Sequence, residues 1–171
     1  MAKAKQMTFD GPEFLPEGEH QARQIQNHAV FAAMVEAMDA AVGTVLDALK
    51  RLGLDGNTSV FFMADNGGLS TAEGAPTSNV PLRAGKCWLY EGGIRVPMIA
   101  RWPGRIQPAQ TSGIPAAGWD FMATLAELAG VARPAHTDGI SLVPTLLGHP
   151  ERQQAREYLY WEYHMGKQQA V

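Results

Sequence analysis

The chain has 171 residues and a mass of 18.5 kDa, room for one ordinary domain or for part of a larger one. With 46% hydrophobic and 18% charged residues it is too apolar for a disordered chain, and its net charge of −3 provides no global positive field for nucleic acid or anionic lipid. The apolar stretches, Ala29 to Val35 among them, are shorter than a bilayer span, and the opening residues do not form a signal peptide. Neither a nucleic-acid partner nor a membrane partner is therefore expected. A single cysteine, Cys87, excludes an internal disulfide and is too few for a structural zinc site.

Residues 1–18 combine charged side chains with Gly11, Pro12 and Pro16 and read as a surface arm or linker, leaving 19–171 as the folded part. Beyond His20, Phe31, Met34, Val35, Met38, Val42, Val45, Leu46 and Leu49 recur at three- and four-residue steps. That period predicts a helix with one apolar stripe, closed by Lys50, Arg51 and Gly53. Ser59 to Ala64 is apolar without alternation, as in a central strand covered on both faces. Asp65 to Gly93 has no period and is longer than most connections, a property of functional loops. Ile94 to Ala100 reads as an edge or bulged strand because of Pro97. A second helix is expected over Trp119 to Ala129, a short apolar segment over Ile140 to Leu147, and an aromatic strand packing on the core over Tyr158 to Tyr163.

The strand at 59–64 runs directly into Asp65, Asn66, Gly67 and Gly68. A carboxylate and an amide oxygen at a strand's C-terminal end are hard ligands suited to calcium or magnesium, and the glycines let the backbone bend so that they converge. Asn-Gly after an apolar run is also the signature of a turn, and two oxygens do not complete a calcium shell. Lys86, preceded by Gly85 on a flexible segment, can present its ammonium to an anion. The pattern is not that of a nucleotide loop: Val80 stands where the first glycine is needed, and Cys87 where Ser or Thr is. Glu91 and Arg95, four apart, read as an ion pair fixing the loop. Cys87 has no neighbouring histidine to serve as base, which favours a filler role. His20, His28, His136, His149 and His164 show no metal-ligand spacing.

These motifs in order resemble the sulfatase family of the alkaline phosphatase superfamily. They are Met34-Val35-Glu36-Ala37-Met38-Asp39 through Val42-Gly43, Asp65-Asn66-Gly67-Gly68, Pro81-Leu82-Arg83 with Gly85-Lys86, and Leu89 through Pro97. Arg101-Trp102-Pro103-Gly104, Asp138-Gly139 with Ser141-Leu142 and Pro144, and Leu159-Tyr160-Trp161-Glu162 follow. The resemblance implies an α/β fold, part of an alkaline-phosphatase-like sandwich with a mixed central β-sheet flanked by helices. It implies calcium, or magnesium, at Asp65 and Asn66, and contact of Lys86 with the sulfate of an aryl or carbohydrate sulfate ester. The family's nucleophile, a formylglycine hydrate made from the cysteine of a C-x-P-x-R pattern, has no counterpart here, since Cys87 is followed by Trp88, Leu89 and Tyr90. Cys87 itself departs from the family, in which glycine is common at that position. The expectation is thus a partial sulfatase domain, truncated at both ends, without turnover alone and prone to self-association through uncovered surface. A phosphatase or phosphodiesterase of the same superfamily, or a non-catalytic metal- or anion-binding chain, are the other readings. The family is often periplasmic, secreted or lysosomal.

Overall fold

The computed structural model describes residues 11–165 and 167–171. The chain divides into two compact units. One comprises residues 1–51, 63–98 and 158–171, the other 52–62 and 99–157.

The first unit opens with a hairpin where an arm was expected: β1 (Phe14–Glu17) pairs antiparallel with β2 (His20–Arg23), in the register Phe14 to Arg23 and Glu17 to His20. Gly18, at φ +59°, takes the left-handed conformation that a two-residue turn requires. What holds the hairpin is not legible in local composition. Buried Arg23 donates through Nε to Ala75 O and through Nη1 to Glu13 and Asn27, and its backbone N–H donates to Ser70 O at 2.9 Å. Residues 1–10 of the expected arm lie outside the described residues.

Helix α1 (Ala29–Arg51) follows as the spacing predicts, with Lys50 and Arg51 in its last turn and Gly53 in the left-handed conformation two residues beyond. Its stripe is not a core stripe within this chain. No residue of α1 is buried, and Val30, Met34, Met38 and Val45 form an exposed apolar seam on it. By length and composition α1 is also apolar enough to cross a membrane, contrary to the expectation drawn from its shorter apolar runs. It carries Glu36, Asp39 and Asp47, which are costly in a hydrocarbon core.

The first unit also holds the long loop from residue 64 to 90, the one-turn helix α2 (Glu91–Ile94) and a C-terminal hairpin. In the hairpin β5 (Trp161–Tyr163) pairs antiparallel with β6 (Gln168–Ala170). The aromatic strand is shorter than expected, and Tyr158 and Tyr160 are exposed instead of packed on a core.

The pair β3 (Val60–Met63) and β4 (Met98–Arg101) forms a two-stranded sheet. Strand β4 begins only after Pro97, which has no N–H to give to a ladder, so the expected strand over 94–100 is split between α2 and β4. Phe62 is 40% exposed, so β3 is not covered on both faces by this chain. In the second unit Arg101 makes a two-pronged bond to Asp55 at 2.7 and 3.1 Å, and Phe61 meets Phe121 of α3 (Asp120–Leu128) edge to face. Asp120 is fully buried. Its carboxylate accepts from the backbone N–H of Ala117 (2.8 Å) and of Ile140 (2.9 Å) and from Arg156, which anchors α3 to the segment leading into α4 (Val143–Leu146). Thr124, also buried, donates to Asp120 O and accepts from Leu142 N.

Candidate functional site

Asp65 and Asn66 lie just past β3 at the start of the long loop, with Asp65 exposed and Asn66 half-buried. The Asn66 amide nitrogen is turned toward Asp65 Oδ1 (3.2 Å) and Gly67 O (3.3 Å), so its own carbonyl oxygen is left to act as a donor to a cation. The next two residues are locked in place. Gly67 N–H donates to Gly93 O at 2.8 Å, and a Cβ on Gly67 would stand 1.7 Å from Gly92 O, so only glycine lets the turn touch α2.

The backbone of Lys86 meets the same turn from the other end of the loop. Its backbone N–H donates to Gly68 O at 3.1 Å, and its side chain is exposed. Gly85 is in contact with the turn as well: a Cβ there would stand 2.1 Å from Gly68 O and 2.6 Å from both Asn79 Nδ2 and Ser70 Oγ. The three side chains singled out from sequence are therefore carried by two segments joined by a backbone hydrogen bond.

The lysine's segment is clamped from outside. Arg83 donates to both carboxylate oxygens of Glu17 (2.6 and 3.1 Å) and lies 3.8 Å from the centroid of the Tyr90 ring. Hydrogen bonding from Arg83 holds the Glu17 carboxyl below its ordinary pKa, against the opposing effect of partial burial, and raises that of Arg83 in turn. Tyr90 stacks on Trp88, whose indole N–H donates to Thr71 Oγ1 at 3.0 Å and whose ring meets His20 edge-on. The Glu91–Arg95 pair forms as the spacing predicts, at 3.0 Å, and is exposed on both sides, so it contributes little energy.

Cys87 is exposed and adopts φ +76°, a conformation natural to glycine and strained for other residues. Its thiol lies by the Tyr163 hydroxyl, whose pKa is raised by partial burial and by this thiol. The neighbour found beside the thiol is this phenol, not a histidine or an acid.

As a cation site the donor set is of the right kind and incomplete. Asp65 and Asn66 are hard oxygen donors, whereas calcium takes 6–8 of them, and among the described residues no group of three His, Cys, Asp or Glu gathers around a common point. Neither the hairpin that seats Arg83 nor the closeness of Asn79 to Gly85 was visible in sequence. Gly67 and Gly68 read in sequence as residues that let the backbone bend and Gly85 as part of a flexible segment; that all three lie at close approaches of backbone is seen only in the fold.

The family model described as Sulfatase matches residues 5–131. The chain belongs to the sulfatase family. It is 41% identical over 141 residues to the steryl-sulfatase of Rattus norvegicus, covering 78% of this chain and 24% of that protein. To arylsulfatase A of Bos taurus it is 40% identical over 134 residues, covering 78% of this chain and 26% of that one. Among solved structures, Ps i-CgsB in complex with k-i-k-neocarrahexaose superposes with a TM-score of 0.65 at 34% identity, over 74% of this chain and 28% of that one. BT4656 in complex with its substrate D-glucosamine-2-N,6-O-disulfate superposes with a TM-score of 0.60 at 27% identity, over 76% and 25%. The α/β architecture of this sulfatase chain is accordingly that of the alkaline-phosphatase-like fold, of which it spans about a quarter of the length of the curated relatives it matches.

Proposed function

We propose that this sulfatase chain contributes the cation ligands Asp65 and Asn66 and the sulfate-contacting Lys86 to a calcium-dependent sulfuric ester hydrolase, and that its 171 residues have no turnover by themselves. The observation that carries the reading is the hydrogen bond from Lys86 N to Gly68 O, which seats the lysine beside the turn of the acid–amide pair. Calcium, when bound, supplies Lewis-acid screening of the sulfate's negative charge. Asp65 and Asn66 hold it through oxygen, with further ligands from outside these residues. Lys86 offers its ammonium to the sulfate on the side of the departing ester oxygen, which takes the electron pair as the S–O bond to the alcohol breaks. The nucleophile, a formylglycine hydrate by family resemblance, is not encoded among these residues, and Cys87, without a base, does not replace it.

Sulfated sugars and aryl sulfates are the proposed substrate classes, supported by the disulfated glucosamine bound to BT4656 and by the likeness to arylsulfatase A. The exposed seam of α1 is the surface on which the rest of a sulfatase domain packs, and the chain without that cover self-associates through it. Met34→Glu combined with Met38→Glu should then shift the chain toward monomer in light scattering.

The activity is tested in two steps. The chain alone, incubated with an aryl sulfate and calcium, should release no sulfate above background. Joined to the complementary segment of a relative, it should release sulfate, and Lys86→Ala should lower kcat about 100- to 1000-fold, the range for removing one charge-stabilising donor. Calcium-dependent release by the chain alone, or full activity of the joined Lys86→Ala variant, refutes the reading.

A further inference from the structure

The two halves of the site are joined by a side chain that belongs to none of the motifs, that of Asn79. It accepts from Gly68 N–H at 3.0 Å through Oδ1 and donates through Nδ2 to Gly68 O and to Ala84 O, both at 2.8 Å. A carboxamide presents one acceptor and two donors in a single plane, like the edge of a peptide, and all three interactions are made here. They reach across 11 residues to Gly68 and five to Ala84. Gly68 stands three residues after Asp65, and Ala84 two before Lys86, so the amide bridges the pair of oxygen ligands and the lysine.

The bridge leaves little freedom. Gly68 O takes a second donor in Lys86 N, which engages both lone pairs of the carbonyl. A Cβ on Gly68 would stand 2.9 Å from Asn79 Oδ1 and 2.4 Å from Thr77 Cγ2, and one on Gly85 would be 2.6 Å from Asn79 Nδ2, so the segments meet at the closest approach that backbone allows. The far end of the lysine's segment is fixed independently by Arg83 on Glu17. A shift of the acid–amide turn is therefore passed to Lys86 through Asn79 and Gly68, with no slack in the bonded chain.

We propose that Asn79 is a positioning residue that fixes the register between the cation pair Asp65–Asn66 and the oxyanion-contacting Lys86, so that occupancy of one site strengthens binding at the other. The proposal rests on the functional reading above. Coupling of this kind is reciprocal and is measured by binding alone.

Because further cation ligands come from outside these residues, the test uses the ¹⁵N-labelled chain joined to the complementary segment of a relative, at constant ionic strength, titrated with calcium chloride, and with sodium sulfate in the presence and absence of calcium. The amide resonances of Asp65, Asn66 and Lys86 are followed. Calcium should raise sulfate affinity at Lys86 by about fivefold or more, the low end of typical coupling. In Asn79→Ala each ion alone should bind within about twofold of wild type, while the gain from calcium falls below about twofold. Asn79→Asp keeps the volume and the bond from Gly68 N but loses both donors, and it should lose the gain likewise; it carries the test if the alanine variant does not fold. If both ions bind and a folded variant retains the wild-type gain, the role of Asn79 is refuted and the reading of the two sites stands. If calcium moves neither Asp65 nor Asn66, both are refuted.

Discussion

Gly85→Ala is the most direct test of the loop geometry, because the cost can be worked from the contacts. The new methyl carbon would stand 2.1 Å from Gly68 O, where contacts below 3.0 Å are not tolerated, so residue 85 and that carbonyl must part by about 1 Å. Gly85 has an ordinary backbone conformation, so the whole effect is steric. Separation on that scale takes the Lys86 N to Gly68 O bond beyond its present 3.1 Å to a length at which it no longer forms. Overpacking of this kind costs about 1–3 kcal/mol, and the lost hydrogen bond about 1 kcal/mol more. The expected destabilisation is therefore about 2–4 kcal/mol, read from urea unfolding followed by tryptophan fluorescence. Gly113→Ala, with nothing within 4 Å of the new carbon, is the control and should change stability by no more than about 0.5 kcal/mol. A Gly85→Ala protein that unfolds at the wild-type urea concentration, with the Lys86 amide resonance unmoved, would refute the packing on which the site rests.

Three further outcomes follow from single residues. Cys87→Gly relieves a left-handed backbone and should stabilise the protein by about 1 kcal/mol, whereas Cys87→Ala, which keeps the strain, should not; equal effects of the two would count against it. The folded Glu17 pKa lies below its unfolded value, so the stability it gives is complete above the ordinary value of 4.5 and is lost as pH falls through the lower folded value. An NMR titration should find the Glu17 carboxyl ionising below that ordinary value and, in Arg83→Ala, returning toward it; an unshifted wild-type carboxyl would contradict the clamp. Asp120→Ala leaves Arg156, 12% exposed at its side chain, without its carboxylate and should cost about 3–5 kcal/mol in denaturant unfolding. A loss below about 1 kcal/mol would show that the pair is not a strut.

The helices were legible because their information is local. The stripe of α1 and its closing Lys50, Arg51 and Gly53 appear in sequence at a fixed period, as does α3 with its stop at Gly130. Which way those stripes face was not legible, since that depends on what covers them: Met34 and Met38 match a core pattern and are exposed. The hairpin at 14–23 was missed because Arg23 holds it through partners 52 residues away at Ala75 and 10 away at Glu13, and no local pattern encodes such partners. In the candidate site, Asp65, Asn66 and Lys86 stood out in sequence by their chemistry and Gly67 and Gly68 as residues that let the backbone bend, whereas the close approaches at Gly67, Gly68 and Gly85 depend on partners distant in sequence. Asn79 did not stand out, because a lone asparagine in a loop is the commonest of turn residues until its three partners are known.

The position of Cys87 has a practical consequence. The protein's sole thiol sits in solvent one residue from the lysine proposed to meet the sulfate, on a segment braced by Trp88 and Tyr90. A small environment-sensitive dye coupled to it needs no engineered attachment point and cannot label elsewhere. Its emission would report anions arriving next door in real time, at protein concentrations far below those that magnetic resonance requires.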